Sequence, residues 1–219
     1  MRLERLVAKR LGVPRKEARR SIRSGRVMVG GTPVKDPAHT VRGDEALEID
    51  GTRCDPAPRV VAYHKPPGVL STVGDPQGRP SLREVAAEWL ALGLHPVGRL
   101  DADSEGLLLL CSDGALTQRL LHPKHGVAKR YDAWVEGEIP SDLAEQLAAG
   151  VRTALGVHAA ELVEVDAGRV QLVVREGKHR MVRRMLANLG LPVVRLRRLA
   201  MGPYELGDLA VGGFRVEEA

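Results

Sequence analysis

Apolar residues first recur at helical spacing. Leu3, Leu6, Val7 and Leu11 fall on one face, with Arg2, Arg5, Lys9 and Arg10 elsewhere on the wheel, which predicts an opening helix. Gly12-Val13 breaks the pattern, and Pro14 suits the first position of a second helix. That helix is expected to run to about Ser24, with Gly25 as the residue past its end and Ala18 and Ile22 as a narrow buried stripe. The period then changes. Val27-Met28-Val29, the turn Gly30-Gly31 and Thr32-Pro33-Val34 predict a hairpin, and Leu47-Glu48-Ile49 before Asp50-Gly51 a closing strand.

A polar, proline-spaced run from Cys54 to Arg59 reads as a semi-rigid linker. The expected division is a small domain over 1–54, a linker over 55–59 and a larger domain over 60–219. In the larger part a strand begins at Val60 and meets the turn His64-Lys65-Pro66-Pro67-Gly68, leaving Lys65 near its tip. Ser81 with Glu84 three residues on matches a capping box, so a helix is expected from about 82 to 91. A helix over Leu116 to Leu121 follows, then a strand from Val127 to Val135 with Lys129, Tyr131, Ala133 and Val135 on one face. Pro140-Ser141-Asp142 opens a helix to Ala149. Val157 to Val165 and Val170 to Arg175 form a hairpin around Asp166-Ala167-Gly168. Runs of strands with helices inserted between them predict an α+β fold with a mostly antiparallel sheet.

One stretch stands apart. Val97-Gly98-Arg99-Leu100-Asp101-Ala102-Asp103-Ser104-Glu105-Gly106 is a polar loop that runs into Leu107-Leu108-Leu109-Leu110. Apolar runs bounded by glycine read as buried strands, so the core holds the loop at both ends. Such a loop is either a charged connection or a place for function, and its three carboxylates alone do not decide between them.

Charge changes the picture once it is located. The net charge is +5. Residues 1–55 carry 13 Lys/Arg and 8 Asp/Glu, while residues 56–219 carry 20 of each, so the excess lies in the first quarter. An asymmetry of this kind suggests a segment that faces nucleic acid. Arg15, Arg19, Arg23 and Arg26 follow one another along one face of the second helix, with Lys16 and Arg20 beside them and no acids in matching register. A second cluster covers 175–198, with eight Lys/Arg against Glu176 alone. Here Val182, Met185, Leu186 and Leu189 form a helix stripe. Arg180 and Arg184 fall on the opposite side toward solvent, and Arg183 at the stripe's margin, placed to reach into a cleft.

Other chemistry is limited. Cys54 and Cys111 are neither paired nor at metal-ligand spacing, which fits a reducing compartment. His122 and His125 lack a supporting carboxylate or cysteine cluster, so no metal site is expected. The longest apolar run, Leu107 to Cys111, is far short of a membrane span, and no signal-peptide pattern opens the chain. A cytoplasmic protein is expected.

Residues 2–50 resemble the small αL-type RNA-binding domain found in a ribosomal small-subunit protein, tyrosyl-tRNA synthetases and several RNA-modifying enzymes. The resembling residues are Arg2-Leu3, Arg15-Lys16-Glu17-Ala18-Arg19-Arg20-Ser21-Ile22 and Gly25-Arg26-Val27-Met28-Val29-Gly30-Gly31. In that domain the second helix and the following loop contact RNA backbone.

The remainder resembles the pseudouridine synthases of ribosomal RNA, in their RsuA-like branch. The likeness rests on Lys65-Pro66-Pro67-Gly68-Val69, Gly98-Arg99-Leu100-Asp101 with Gly106-Leu107-Leu108-Leu109-Leu110, Lys129-Arg130-Tyr131, Glu176-Gly177-Lys178 with Val182-Arg183-Arg184-Met185, and Gly202-Pro203-Tyr204-Glu205-Leu206-Gly207-Asp208-Leu209. These occur in order across residues 2–215, and together they are highly specific.

The resemblance implies isomerisation of a uridine: the base is detached from ribose, turned and reattached through carbon. It implies Asp101 as the catalytic carboxylate, attacking the sugar or taking a proton from it, with Arg183 as the cation beside it. Tyr131 is implied to stack on the base and to act in proton transfer at the ring carbon, Leu196 to form the apolar wall, Arg99 to hold the flipped nucleotide and Lys65 to bind substrate. Arg15, Lys16, Arg19, Arg20, Arg23, Arg26, Arg180 and Arg184 are the expected RNA contacts. No cofactor or metal is required, and the expected partner is ribosomal RNA or a ribosomal assembly intermediate, bound by a monomer. Met181 departs from a frequent glutamine, and Cys111-Ser112 from a frequent threonine and asparagine. Two other readings remain: a non-catalytic RNA-binding assembly factor, and a glycosidase pairing Asp101 with Asp103 or Glu105, the latter disfavoured by an aromatic content of 3%.

Overall fold

The computed structural model describes residues 1–43, 45–54 and 59–217. The chain divides into two compact units, Met1–Pro58 with Glu88–Leu94, and Arg59–Ala87 with His95–Ala219. A contiguous boundary at the linker does not anticipate that Glu88–Leu94 groups with the first unit.

In the first unit, α1 (Leu3–Leu11) ends where Gly12 turns left-handed at φ 66°. Pro14 stands just outside α2 (Arg15–Arg23) as its N-cap, one position earlier than expected. Gly25 follows the Ser24 cap at φ 76°, a backbone that only glycine adopts without strain. Leu3, Leu6 and Val7 meet Ala18 and Ile22 in a core completed by Val27, Val41, Leu47 and Ile49. Leu11 is not part of it: the helix ends there and the side chain is 38% exposed. Four short strands, β1 (Val27–Val29), β2 (Thr32–Pro33), β3 (Leu47–Ile49) and β4 (Thr52–Cys54), form an antiparallel sheet in the order β2-β1-β3-β4. Cys54 therefore ends a strand, and linker residues 55–58 lie outside the described residues.

The larger unit begins with β5 (Val60–Lys65). The capping box at Ser81 and Glu84 is present, but the expected helix is divided. Ala86 leaves helical geometry between α3 (Leu82–Val85) and α4 (Ala87–Ala91), and all of α4 but Ala87 groups with the first unit. There follow β6 (His95–Pro96), β7 (Glu105–Cys111), α5 (Gly114–Leu121), β8 (Lys129–Val135), α6 (Leu143–Ala149), β9 (Val151–Thr153), β10 (Gly156–His158), β11 (Glu161–Asp166) and β12 (Arg169–Val174). The chain closes with α7 (Met181–Asn188), β13 (Val193–Met201), β14 (Tyr204–Glu205) and β15 (Phe214–Glu217).

Among the described residues nine of these strands form one sheet. Seven are ordered β11-β12-β8-β13-β7-β5-β15, with β14 on β13 and β6 on β7. Every pairing is antiparallel except β13 with β7. This is the expected α+β architecture with a mostly antiparallel sheet. Leu107, Leu108, Leu109 and Leu110 are all fully buried, as a continuous apolar run in a central strand requires. The strand expected over 157–165 is instead two strands, interrupted at Ala159-Ala160, and β10 pairs with β9 rather than continuing into β11. Tyr63 and Phe214 stack at 4.4 Å across β5 and β15.

Candidate active site

The polar loop lies over the meeting of β7, β13 and β8, and its path is fixed from below. Gly98 (φ 75°) and Gly106 (φ 104°) bracket it in left-handed backbone. A Cβ on Gly106 would lie 2.3 Å from the Arg198 carbonyl oxygen, so close approach of β7 to β13 requires glycine there. Ser71 bridges the loop twice: its hydroxyl donates to the Leu100 carbonyl at 2.8 Å and accepts from the Leu100 amide at 3.0 Å. Gly68 donates to Ala102 at 2.7 Å, and Ser104 to the Asp101 carbonyl at 3.1 Å.

Lys65 lies beneath the same loop. It was expected at a turn tip and in contact with substrate, but it is fully buried, because β5 carries it into the core before the two prolines. Its ammonium donates to the carbonyls of Pro66 at 2.8 Å, Val69 at 2.7 Å and Ala102 at 3.5 Å. Burial pulls its pKa down to about 8, against the opposing pull of Asp103, Asp101 and Glu105.

Beside this support lies a cavity of about 250 Å³. Arg99 and Asp101 line it from the loop, Tyr131 from β8, Leu196 and Arg198 from β13, and Arg180 from the start of α7. Register explains the grouping: Tyr131 lies opposite Arg198, and Ala133 opposite Leu196, so these side chains share one face of the sheet. Lys129, two residues before Tyr131, shares it too. The Asp101 side chain makes no hydrogen bond or ion pair among the described residues; only its main-chain carbonyl is engaged.

Arg183 does not stand where the sequence placed it. It is 8% exposed and lies behind the loop rather than on the cavity wall. Its guanidinium donates to the carbonyls of Val193 at 2.8 Å and Asp103 at 3.0 Å, and more weakly to the Ser104 hydroxyl at 3.4 Å. Its ion pair is with Asp103, at 3.6 Å, and not with Asp101. Burial pushes the guanidinium below its usual value, while Asp103 and, more weakly, Asp101 act the other way. Arg183 is therefore bonded to Asp103 and Ser104 of the loop and makes no ion pair with Asp101 among the described residues.

Arg180, expected in solvent, grips Asp103 through two hydrogen bonds of 3.0 and 2.8 Å. It precedes α7 in a left-handed conformation (φ 53°), which turns the side chain back toward the loop. This pairing holds the Asp103 carboxyl below its ordinary range. Arg184 is half-buried, with His179 as its neighbour at 3.5 Å. Glu105 is also accounted for: it is buried on the sheet beneath Arg195, at 2.6 Å, and Arg197, at 3.8 Å. Both guanidinium groups also lie over the Trp134 ring, at 4.4 and 5.0 Å. Neither Asp103 nor Glu105 is thus free to pair with Asp101 as a second catalytic acid.

In the first unit, Arg15, Lys16, Arg20 and Arg23 are exposed and without a carboxylate partner among the described residues. Two of the expected contacts differ. Arg19 forms a bidentate pair with Glu4 of α1, and Arg26, which lies beyond the end of α2, pairs with Asp50 at 3.1 Å. Glu17 is the one acid on α2, and the fold brings two more, Glu4 and Asp50, to its arginines and Arg26.

Spacing assigned no role to Asp103, Ser71 or Arg198, whose partners Arg180, Leu100 and Leu107 lie across the fold where no local pattern marks them, and none to Lys129, which bonds the nearby Val127 carbonyl.

Residues 59–188 match the family model described as RNA pseudouridylate synthase, and residues 1–47 that of the S4 domain. A ribosomal small subunit pseudouridine synthase A of Escherichia coli is 35% identical, with 98% of this chain and 95% of that protein covered. A ribosomal large subunit pseudouridine synthase B of Bacillus subtilis is 33% identical, over 98% and 91%. A crystal structure of a pseudouridylate synthase superposes with a TM-score of 0.68 at 28% identity, covering 100% of this chain and 96% of that one. Matched by the family model across its larger part, and by such relatives along nearly its whole length, the chain belongs to the RNA pseudouridylate synthase family.

Proposed function

We propose that this protein isomerises a specific uridine of ribosomal RNA to pseudouridine, with Asp101 as the catalytic carboxylate. The observation that carries the reading is the unpaired Asp101 side chain sharing one cavity with Tyr131, Arg99 and Leu196. In this reading Tyr131 stacks on the base and Leu196 forms the apolar wall. Arg99, exposed at the cavity, holds the nucleotide out of its helix, a flip that costs a few kcal/mol. Asp101 either attacks ribose C1′ or takes the C2′ proton. Arg183 and Lys65 act from behind by fixing the loop that carries it.

The small basic domain over 1–54 anchors RNA through Arg15, Lys16, Arg20 and Arg23, and the catalytic domain over 60–219 works as part of a monomer in the cytoplasm. Relatives named for the large and for the small ribosomal subunit are similarly close. Asp103-Ser104-Glu105-Gly106 and Ala200-Met201-Gly202 resemble the corresponding stretches of large-subunit enzymes, so the large-subunit RNA is the favoured substrate and the small-subunit RNA the alternative. A purely RNA-binding assembly factor would have no use for an unpaired carboxylate in such a cavity. Mapping pseudouridines in the rRNA of a strain lacking this gene tests the proposal. One missing site in the 23S rRNA is expected; one in the 16S rRNA would move the substrate, and an unchanged map would overturn the function.

A further inference from the structure

Two cations are buried in the cavity wall without a carboxylate to answer them. Lys129 is 8% exposed, and its ammonium donates to one acceptor, the Val127 carbonyl at 3.1 Å. Arg198 is 3% exposed; its Nε donates to the Leu107 carbonyl at 2.8 Å, and its buried Nη2 has no partner among the described residues. Neither forms an ion pair among the described residues. The charge that acts on Lys129 is instead that of Arg198, of like sign, which adds to burial in pushing the ammonium below its usual value. Buried charge is costly unless something pairs with it. Both side chains line the cavity shared by Asp101 and Tyr131, Arg198 directly opposite Tyr131 across the sheet.

The proposed reaction produces an anion in this cavity. When the C1′–N1 bond breaks, its electron pair stays on the base, which carries one negative charge over N1, O2 and O4. The sugar is meanwhile held as an ester of Asp101, or as a glycal after its C2′ proton passes to Asp101, and returns from either. C5 then bonds to C1′ and gives up its proton, while N1 takes one, so nothing is consumed. A phosphodiester of the RNA backbone remains outside, whereas groups nine-tenths buried reach only what enters the cavity.

We infer that Lys129 and Arg198 are catalytic residues that bind the oxygens of the detached uracil anion. Fixed charges aimed at the place where charge develops are among the largest contributions to catalysis, and they act most strongly where water is excluded. The inference rests on the reading of the Asp101 cavity as the place of base detachment.

The test uses the full chain and rRNA from cells lacking the protein, with single-turnover rates, RNA affinity and thermal midpoints measured for Lys129→Met, Arg198→Met and Lys129→Arg. The rate in Lys129→Met is expected to fall by about 10²-fold or more, with RNA affinity within threefold. Its midpoint stays level or rises, since an unpaired buried charge has been removed. Lys129→Arg keeps the cation and is expected to recover most of the rate, which also covers a poorly folded Arg198→Met. Lost affinity with an unchanged saturating rate would assign the pair to phosphate and overturn the inference, as would a rate loss that only follows a lowered midpoint. An inactive Asp101→Asn beside a fully active Lys129→Met would sink this inference alone; full activity in both would sink the cavity reading itself.

Discussion

Arg180 holds Asp103 with two hydrogen bonds, of 3.0 and 2.8 Å, two residues beyond Asp101. The paired donors match the two carboxylate oxygens, and Arg183 reaches the same residue's carbonyl at 3.0 Å. The loop is thus tied to the start of α7 from two sides, and the position of Asp101 depends on a charge pair it does not itself join.

Asp103→Asn and Arg180→Lys each break that fork. Misplacement of about 1 Å at a reacting group costs on the order of 10²-fold in rate. Each variant is expected to lower the single-turnover rate about 10- to 100-fold while RNA affinity changes less than threefold. A double-mutant cycle should give a coupling of roughly 0.5–3 kcal/mol. Additive effects would mean that the contact does not position the loop.

Lys65 predicts a pH dependence. An unfolded lysine titrates near ~10.4, whereas folded Lys65 does so at about 8. Between these values the unfolded chain binds the extra proton, so the Lys65 contribution to stability increases as pH rises from 8 to about 10.4. Denaturant unfolding of wild type and Lys65→Met across that window should show wild type gaining roughly 3 kcal/mol relative to the variant. A constant difference would contradict the buried ammonium.

The basic helix separates into free and engaged arginines. Arg20→Gln removes an exposed, unpaired cation and is expected to reduce the slope of log affinity against log salt by roughly 0.7–0.9. Arg19→Gln strips Glu4 of its partner, so it should lower the thermal midpoint and change the salt slope less. Equal slopes for the two variants would mean that Arg19 leaves Glu4 to bind RNA.

Gly106→Ala places a methyl 2.3 Å from the Arg198 carbonyl oxygen in backbone at φ 104°. The parallel pairing of β7 and β13 cannot widen without losing its bonds, so a destabilisation of roughly 3 kcal/mol or more is expected in urea unfolding. A loss below about 1 kcal/mol would mean that the strands part easily.

The sequence made different parts of the molecule legible for different reasons. Leu107 to Leu110 could be read as a buried strand because a run apolar on every residue has no exposed face. Asp101 and Tyr131 were marked by motifs, and the α2 core by Ala18 and Ile22 at helical spacing. What escaped was pairing across the fold. Arg180 meets Asp103 from 77 residues away, Arg19 finds its acid on α1, and Arg183 spends its donors on carbonyls, which no side-chain pattern records. Arg195 and Arg197 alternate along β13 like solvent-facing residues, yet they cover Glu105 and Trp134. Helical periodicity placed Arg180 in solvent because it assumes helix, and Arg180 lies one residue before the helix begins.

The most direct measurement is the conversion of uridine to pseudouridine in rRNA by the Asp101→Asn protein, with RNA affinity measured alongside. Asp101 makes no side-chain bond among the described residues, so the substitution should leave fold and affinity near wild type. No detectable pseudouridine at RNA occupancy equal to wild type is the expected result; product formed at the wild-type rate would mean that Asp101 is not the catalytic carboxylate.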